Sequence, residues 1–293
     1  MERRAALAVG VADCLRGLRG ESVLYLPTPG NAGDSLVQMG AYQALARAGV
    51  GFTPIRPGHD VDGRTVVVGG GGNLVPLYRE LRRALLDGGL LRRCGRLIVL
   101  PHTIRGNEDL LAAMDGRVTL FCRDPESFQQ ARAHAPAARV LLEHDMALHL
   151  DVARFDAEAT DLSDAPALFE RLTARWGRSF AADDRTTVRN LFRADAERLG
   201  PEPPPDNLDL SLLLQRGTWP EEAMRAVYCL FQAIRRSGEV RTDRLHVAIA
   251  ASLVGRPCQL HDNSYGKNAA VYRHTIARYA SPGLVTFVAG APA

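Results

Sequence analysis

Short apolar runs alternating with helix-period stretches constrain the first half of this chain more than any other feature. Apolar segments at residues 22–27, 65–69, 96–100, 118–122 and 139–143 read as strands. Amphipathic segments at 35–48, 74–86, 108–114 and 125–134 read as helices. The run Thr65-Val-Val-Val68 is β-branched throughout, with no polar alternation. Such a strand is covered on both faces, as in a parallel sheet with helices on either side. The alternation therefore predicts a doubly wound α/β domain over residues 1–154, a Rossmann-like lobe. Over residues 155–184 the pattern breaks into a charged segment that reads as a linker with some helix. A second, smaller α/β lobe is expected over 185–293, with strands at 187–193, 256–261 and 284–288 and helices at 221–236, 243–254 and 267–279. There is no internal repeat and no low-complexity tract.

The composition narrows the function classes. Aromatic residues make up only 6% of the 293, so the core is expected to be aliphatic. A formal net charge of +3, with arginines scattered and no basic tract interleaved with aromatics, does not describe a nucleic-acid binder. The five cysteines are widely spaced and form no CxxC pair, so they read as buried thiols rather than disulfides or zinc ligands. The first twenty residues read as an amphipathic helix rather than a signal peptide, and no segment reaches the length of a membrane span. A cytoplasmic location is the expectation.

The chemistry-bearing residues cluster by position. Five polar loops follow strands directly and so lie at the carboxyl edge of the first sheet, where open α/β sheets bind ligands. They are Thr28-Pro-Gly-Asn-Ala-Gly-Asp34, Gly69-Gly-Gly-Gly-Asn73, Pro101-His-Thr-Ile104, Arg123-Asp-Pro-Glu-Ser127 and His144-Asp145. The glycine runs match neither a dinucleotide fingerprint nor a phosphate-binding P-loop, because the third glycine and the Lys-Ser/Thr pair are missing. They supply backbone N–H groups that approach an anion or a hydroxyl-rich ligand closely. Asp34 reads either as the cap of the following helix or as a functional carboxylate, and the two are compatible.

In the second half, Arg241-Thr-Asp-Arg-Leu-His246 opens a helix at its positive end. Arg193 ends a strand in Phe192-Arg-Ala-Asp-Ala-Glu197. Of thirty-six basic residues only Lys267 is a lysine, and it sits in the polar turn Asp262-Asn-Ser-Tyr-Gly-Lys-Asn268. Arginine is a planar fork and lysine a compact point charge, so one lysine in an arginine-rich chain marks a place where the fork does not serve. The histidines show no metal-ligand spacing, and no metal site is expected.

Taken together, Gly30-Asn-Ala-Gly-Asp-Ser-Leu36, the Gly69–Leu74 run, Leu100-Pro-His-Thr-Ile104, Cys122-Arg-Asp-Pro-Glu-Ser127, Glu143-His-Asp-Met-Ala-Leu148, Phe192–Glu197, Thr242-Asp-Arg-Leu-His246 and Asp262–Asn268 resemble the polysaccharide pyruvyl transferase family over most of the chain. One departure is Val247, where members usually place glycine after the histidine. The resemblance implies two Rossmann-like lobes similar to GT-B glycosyltransferases. It also implies transfer of pyruvate from phosphoenolpyruvate onto two hydroxyls of a sugar as a cyclic ketal, with no cofactor beyond that co-substrate. Arg193, Arg244 and Lys267 are then expected to hold the donor's carboxylate and phosphate. His246 is expected to donate the proton, and Asp34 is the candidate base. Asn31, Gly33, Gly71, Asn73, His102, Arg123, Asp262, Asn263 and Ser264 are expected to line the cleft or hold the acceptor.

The implied partners are phosphoenolpyruvate and a sugar acceptor, with no nucleic acid. A lipid-linked acceptor would place the protein at the inner face of a membrane. Two alternatives stand beside this reading, since fold alone does not set function. One is a GT-B glycosyltransferase using a nucleotide sugar, although no two glutamates have the seven-residue separation many such enzymes use. The other is a non-catalytic, glycan-binding member of the same fold.

Overall fold

The computed structural model describes residues 9–174, 180, 186–200 and 202–289. The chain forms two compact units. The first unit comprises residues 1–28 and 40–149, and the second comprises 29–39 and 150–293.

The first unit holds strands β1 (Ser22–Leu26), β2 (Gly51–Pro54), β3 (Thr65–Val68), β4 (Gly71–Leu74), β5 (Arg96–Ile104), β6 (Val118–Cys122) and β7 (Arg139–Leu142). Its helices are α1 (Val9–Arg16), α2 (Ala32–Ala48, shared between the units), α3 (Glu80–Leu85), α4 (Leu90–Arg93), α5 (Glu108–Ala112) and α6 (Pro125–His134). The strand order is β2-β1-β3-β5-β6-β7, with β4 pairing β5, and every pairing is parallel. Val66, Val67 and Val68 have no exposed surface, as the β-branched run predicts.

The second unit holds β8 (Val188–Asn190), β9 (Glu239–Thr242), β10 (Cys258–His261) and β11 (Val285–Val288) in the order β11-β10-β9-β8, again all parallel. Around them lie α7 (Val152–Ala159), α8 (Ala165–Ala174), α9 (Leu210–Leu213), α10 (Pro220–Arg235), α11 (Leu245–Leu253) and α12 (Lys267–Val271). The protein is thus mixed α/β, with parallel sheets flanked by helices.

Several expectations change. The predicted linker is not a linker where it is described: Phe155 on α7 meets Phe231 on α10 at 5.3 Å, and Phe169 on α8 meets Phe180 at 6.2 Å. Its apolar residues therefore belong to the core of the second unit, and the charges that disguised them face outward, as in Arg235 with Asp156 at 2.6 Å. Residues 175–179 and 181–184 of that segment lie outside the described residues, as do 185 and residues 1–8 of the amino-terminal helix.

The expected helix over 74–86 is replaced by β4 followed by the shorter α3. The expected helix over 267–279 continues past α12 as a π-helical turn, Tyr272–Ile276. The strand over 187–193 shortens to β8, whereas β5 extends through Pro101-His-Thr-Ile104, so that segment is strand rather than loop. Four cysteines are buried and Cys14 is half-buried, all as free thiols. Among the described residues no helix is long and apolar enough to cross a membrane.

Gly40 lies within α2 where a Cβ would stand 1.8 Å from the backbone oxygen of Met146. Backbone cannot rotate away as a side chain can. Gly40→Ala is therefore expected to lose about 1–3 kcal/mol of stability despite alanine's better helix propensity. Urea denaturation checks this, and an unchanged midpoint would show that the close approach is not maintained.

Candidate functional site

The loop Gly30-Asn-Ala-Gly-Asp34 groups with the second unit, not with the first-unit loops among which the sequence reading set it. Each of its residues has a local task. Asn31 caps α2, its Oδ1 accepting the Gly33 N–H at 2.8 Å. Asp34, three residues further on, accepts the Asn31 N–H at 2.8 Å and closes a reciprocal capping box. The cap is thus Asn31, and Asp34 is its partner rather than the cap itself. A Cβ on Gly30 would stand 1.9 Å from Asp34 Oδ2, so only glycine leaves room for that carboxylate. A Cβ on Gly33 would stand 2.8 Å from His246 Cβ and 2.9 Å from its Nδ1. The motif therefore brings the start of α2 against the half-buried His246 on the first turn of α11. Ser35 Oγ donates to Gly217 O at 2.9 Å and Gln215 Nε2 to Gly30 O at 2.8 Å, tying the loop to the same unit.

The three predicted donor-binding cations also belong to this unit, and a buried ionic network joins them. Arg193 places Nε 2.7 Å from Asp195 and Nη1 2.8 Å from Glu197 Oε2. Lys267 Nζ lies 2.7 Å from that same Oε2, which also accepts from Asn263 Nδ2 at 3.1 Å and the Tyr265 hydroxyl at 3.2 Å. Arg244 pairs with Asp209 through Nε at 2.8 Å and through Nη2, and with Asp195 through Nη2 at 2.8 Å. Burial opposes the charge of Arg193, but Asp195, Glu197 and Asp243 more than offset it and hold the guanidinium above its ordinary value. Burial likewise raises Asp195, yet Arg193 and Arg244 outweigh it and hold that carboxyl below the usual range.

Backbone contacts fix the scaffold around the ions. The N–H of Arg193 donates to Asp243 Oδ1 at 2.7 Å and that of Ala194 to Asp209 at 2.8 Å. Asn268, fully buried, donates from Nδ2 to Asp243 O at 2.6 Å and His261 O at 2.9 Å, linking the segments after β9 and β10. In the turn before α12, Asp262 accepts the Asn263 N–H, Asn263 accepts that of Lys267, and Ser264 is exposed. Asp243 itself is buried, and its Oδ2 has no hydrogen-bond partner among the described residues. Desolvation, only partly opposed by Arg193 and Arg244, pushes its carboxyl up to about 6.

The first-unit candidates form a separate cluster. Arg123 is fully buried, with Nη1 2.6 Å from Asp145 and Nε 2.9 Å from Thr103. His102 is buried within β5, its Nδ1 2.7 Å from Leu100 O, and burial lowers its pKa to about 4, so the ring is neutral at pH 7. Gly71 has a φ of 153° and pairs with His102 across β4 and β5, while Asn73 is half-buried on β4. Asp124 caps α6, accepting the Ser127 N–H at 2.9 Å, so Asp-Pro-Glu-Ser in Cys122–Ser127 is a helix start.

Sequence reasoning missed Asp195, Glu197 and Asp209 as partners. The first two were visible beside Arg193 as an Arg-x-Asp-x-Glu alternation. Asp209 is distant in sequence from both arginines and carries no local signal.

The family model described as polysaccharide pyruvyl transferase matches residues 31–259. A crystal structure from Klebsiella pneumoniae subsp. pneumoniae NTUH-K2044, described as a functional uncharacterized protein, is 27% identical. It covers 97% of this chain and 99% of that chain with a TM-score of 0.76. No curated protein matches.

Two variants probe the network. Glu197→Gln keeps the shape but leaves Lys267 and Arg193 short of one buried anion. It is expected to cost about 3–5 kcal/mol, read from denaturant midpoints; a loss below about 1 kcal/mol would mean the pair is not buried in solution. Asp243 titrates near 6 when folded and near 3.9 when unfolded, so the folded state binds its proton more tightly. Its stabilising contribution is complete below about pH 4 and is lost as pH rises through about 6. Asp243→Asn keeps the acceptor for Arg193 and should therefore gain roughly 2–3 kcal/mol relative to wild type between pH 4 and pH 7. A pH-independent difference between the two melting curves would exclude the shift.

Proposed function

The chain belongs to the polysaccharide pyruvyl transferase family, and from that premise we propose that it transfers pyruvate from phosphoenolpyruvate to two hydroxyls of a sugar as a cyclic ketal. The observation that carries this reading is the gathering of Arg193, Arg244 and Lys267 in one buried network. The turn Thr242-Asp-Arg-Leu-His246 carries both Arg244 and His246, and Gly33 of α2 approaches that histidine. A donor with a carboxylate and a phosphate needs several cations on a small volume.

In the proposed reaction His246 gives a proton to the methylene carbon of the enol, and positive charge develops on the neighbouring carbon. One sugar hydroxyl adds there and loses its proton. The bond to phosphate then breaks, and the second hydroxyl closes the ring, its proton balancing the departing phosphate. Asp34 is the candidate base, although its Oδ2 already serves the capping box. In this reading the two units correspond to two GT-B-like lobes, supported by a parallel sheet in each. The second unit takes the donor, and Gly71, Asn73, His102 and Arg123 of the first serve or support the acceptor side. The acceptor is a polysaccharide or its lipid-linked precursor. The protein then works in the cytoplasm, at the membrane face where that precursor lies.

The glycosyltransferase reading draws little from the structure. The chain does hold one DxD triplet, Asp60-Val61-Asp62. Both carboxylates are exposed and pair with Arg93, at 2.8 and 2.5 Å. They precede β3 and so lie at the amino edge of the sheet, away from where such sheets bind ligands.

Melting of the protein with phosphoenolpyruvate, UDP, GDP and CMP at matched ionic strength separates the readings. A ligand specific for the folded state adds about 2.7 kcal/mol at a hundredfold excess over its Kd. The expected result is a shift with phosphoenolpyruvate alone, reduced in Arg244→Lys because a point charge cannot replace the fork. A shift with a nucleotide only would overturn the assignment. His246→Gln should retain the phosphoenolpyruvate shift and lose roughly 10²–10⁴-fold in phosphate release with acceptor present. Wild-type turnover in that variant would remove His246 from the chemistry.

A further inference from the structure

The network as it stands has no charge to spare for a ligand. Arg193, Arg244 and Lys267 pair with Asp195, Glu197 and Asp209, three cations against three carboxylates, and Asp243 stands beside Arg193 as a fourth carboxylate. A polyanionic donor drawn to a cluster with no net positive charge gains little unless a carboxylate withdraws. Glu197 is poorly suited to leave, because four side-chain donors converge on its Oε2 and its backbone oxygen accepts the Ser264 N–H at 3.0 Å. Asp209 is equally committed, since it caps α9 and accepts the Ala194 N–H as well as Arg244.

Asp195 differs on each count. Its side chain is 29% exposed, against 5% for Glu197 and 8% for Asp209. Apart from the two arginines, its hydrogen bond is to the N–H of Glu197 in its own turn, at 3.1 Å. It also bridges both guanidiniums, meeting Arg193 Nε at 2.7 Å, Arg193 Nη2 at 3.2 Å and Arg244 Nη2 at 2.8 Å. This is the contact set that a ligand carboxylate or phosphate oxygen makes with paired arginines.

We infer that Asp195 is an internal competitor for the donor, holding between Arg193 and Arg244 the place that the donor's anionic group takes and swinging toward solvent when the donor binds. The inference rests on the reading of phosphoenolpyruvate as donor and adds a selectivity to it. A monoanion such as pyruvate merely exchanges one carboxylate for another, whereas phosphoenolpyruvate brings the additional phosphate charge that makes the exchange favourable.

Calorimetric titration of phosphoenolpyruvate into wild type, Asp195→Asn and Asp206→Asn at fixed ionic strength tests this. Asn keeps the acceptor for the Glu197 N–H, and Asp195→Ser serves if the first variant melts low. Asp206 is a nearby exposed carboxylate paired with Asn190 at 2.8 Å and controls for loss of charge alone. The expected result is a Kd tightened roughly three- to tenfold in Asp195→Asn and changed less than about twofold in Asp206→Asn. Equal or weaker binding in a folded Asp195 variant overturns the inference and leaves the donor reading standing. Equal tightening in both Asn variants overturns it as well, since charge alone would then account for the effect. If no protein takes up phosphoenolpyruvate, the donor reading fails and the inference fails with it.

Discussion

A single charge balance governs the carboxyl edge of the second sheet. Glu197 accepts from Arg193 and Lys267 on one oxygen, and Asp195 and Asp209 divide Arg244 between them. Burying ions is costly unless each finds its partner with good geometry. The segments after β8, β9 and β10 must therefore hold their relative positions, since a displaced strand end would strand a charge in a poorly solvated volume. Backbone contacts enforce the same arrangement: Asp243 accepts the Arg193 N–H, and Asn268 joins the segments after β9 and β10. The consequence for function is that this edge is both structurally over-determined and rich in cations, so a ligand must enter by exchange rather than by filling an empty charge.

The same economy appears in the loop before α2. Gly30, Asn31, Gly33 and Asp34 together form a helix cap whose carboxylate and amide satisfy backbone N–H groups at the helix start. The two glycines are required by close approach, one to Asp34 and one to His246, rather than by unusual dihedral angles. A motif that reads as a ligand loop is thus first a device for seating a helix terminus beside a histidine. Capping and function draw on the same geometry, because a well-held helix start presents its remaining N–H groups and its partial positive charge in a fixed direction.

How far the sequence foretold this follows from the range of each interaction. Continuous apolar runs such as Thr65–Val68 and Leu97–Leu100 are local signals, and they located the parallel strands correctly. Residues 69–73 were read as a loop leading into a helix at 74 because a short, glycine-rich strand has no periodicity to announce it. The segment from 155 onward looked like a linker because its surface charges, including Asp156, Asp164 and Glu170, mask the phenylalanines that pack inward. Among the site residues, the cations were visible because each sits at a strand–helix junction. Their anionic partners were not, because Asp209 meets Arg244 only through the fold and Glu197 reaches Lys267 across seventy positions.

The solitary lysine now has a physical explanation independent of its chemistry. Glu197 Oε2 already receives one η nitrogen of Arg193, an amide and a phenol. A second planar guanidinium could not share that oxygen without displacing one of them, because its N–H groups point in fixed directions within one plane. An ammonium is compact, and its three donors rotate to whatever direction remains. Lys267 sits there at 2.7 Å, 5.3 Å above the Tyr265 ring and 8% exposed, with its own N–H held by Asn263. In a chain that uses arginine at thirty-five other basic positions, the crowding of one carboxylate oxygen suffices to demand the other cation. That crowding also makes Lys267 the cation least able to follow a ligand. The mobile part of any anion exchange must then lie with the two arginines and the half-buried carboxylate that bridges them.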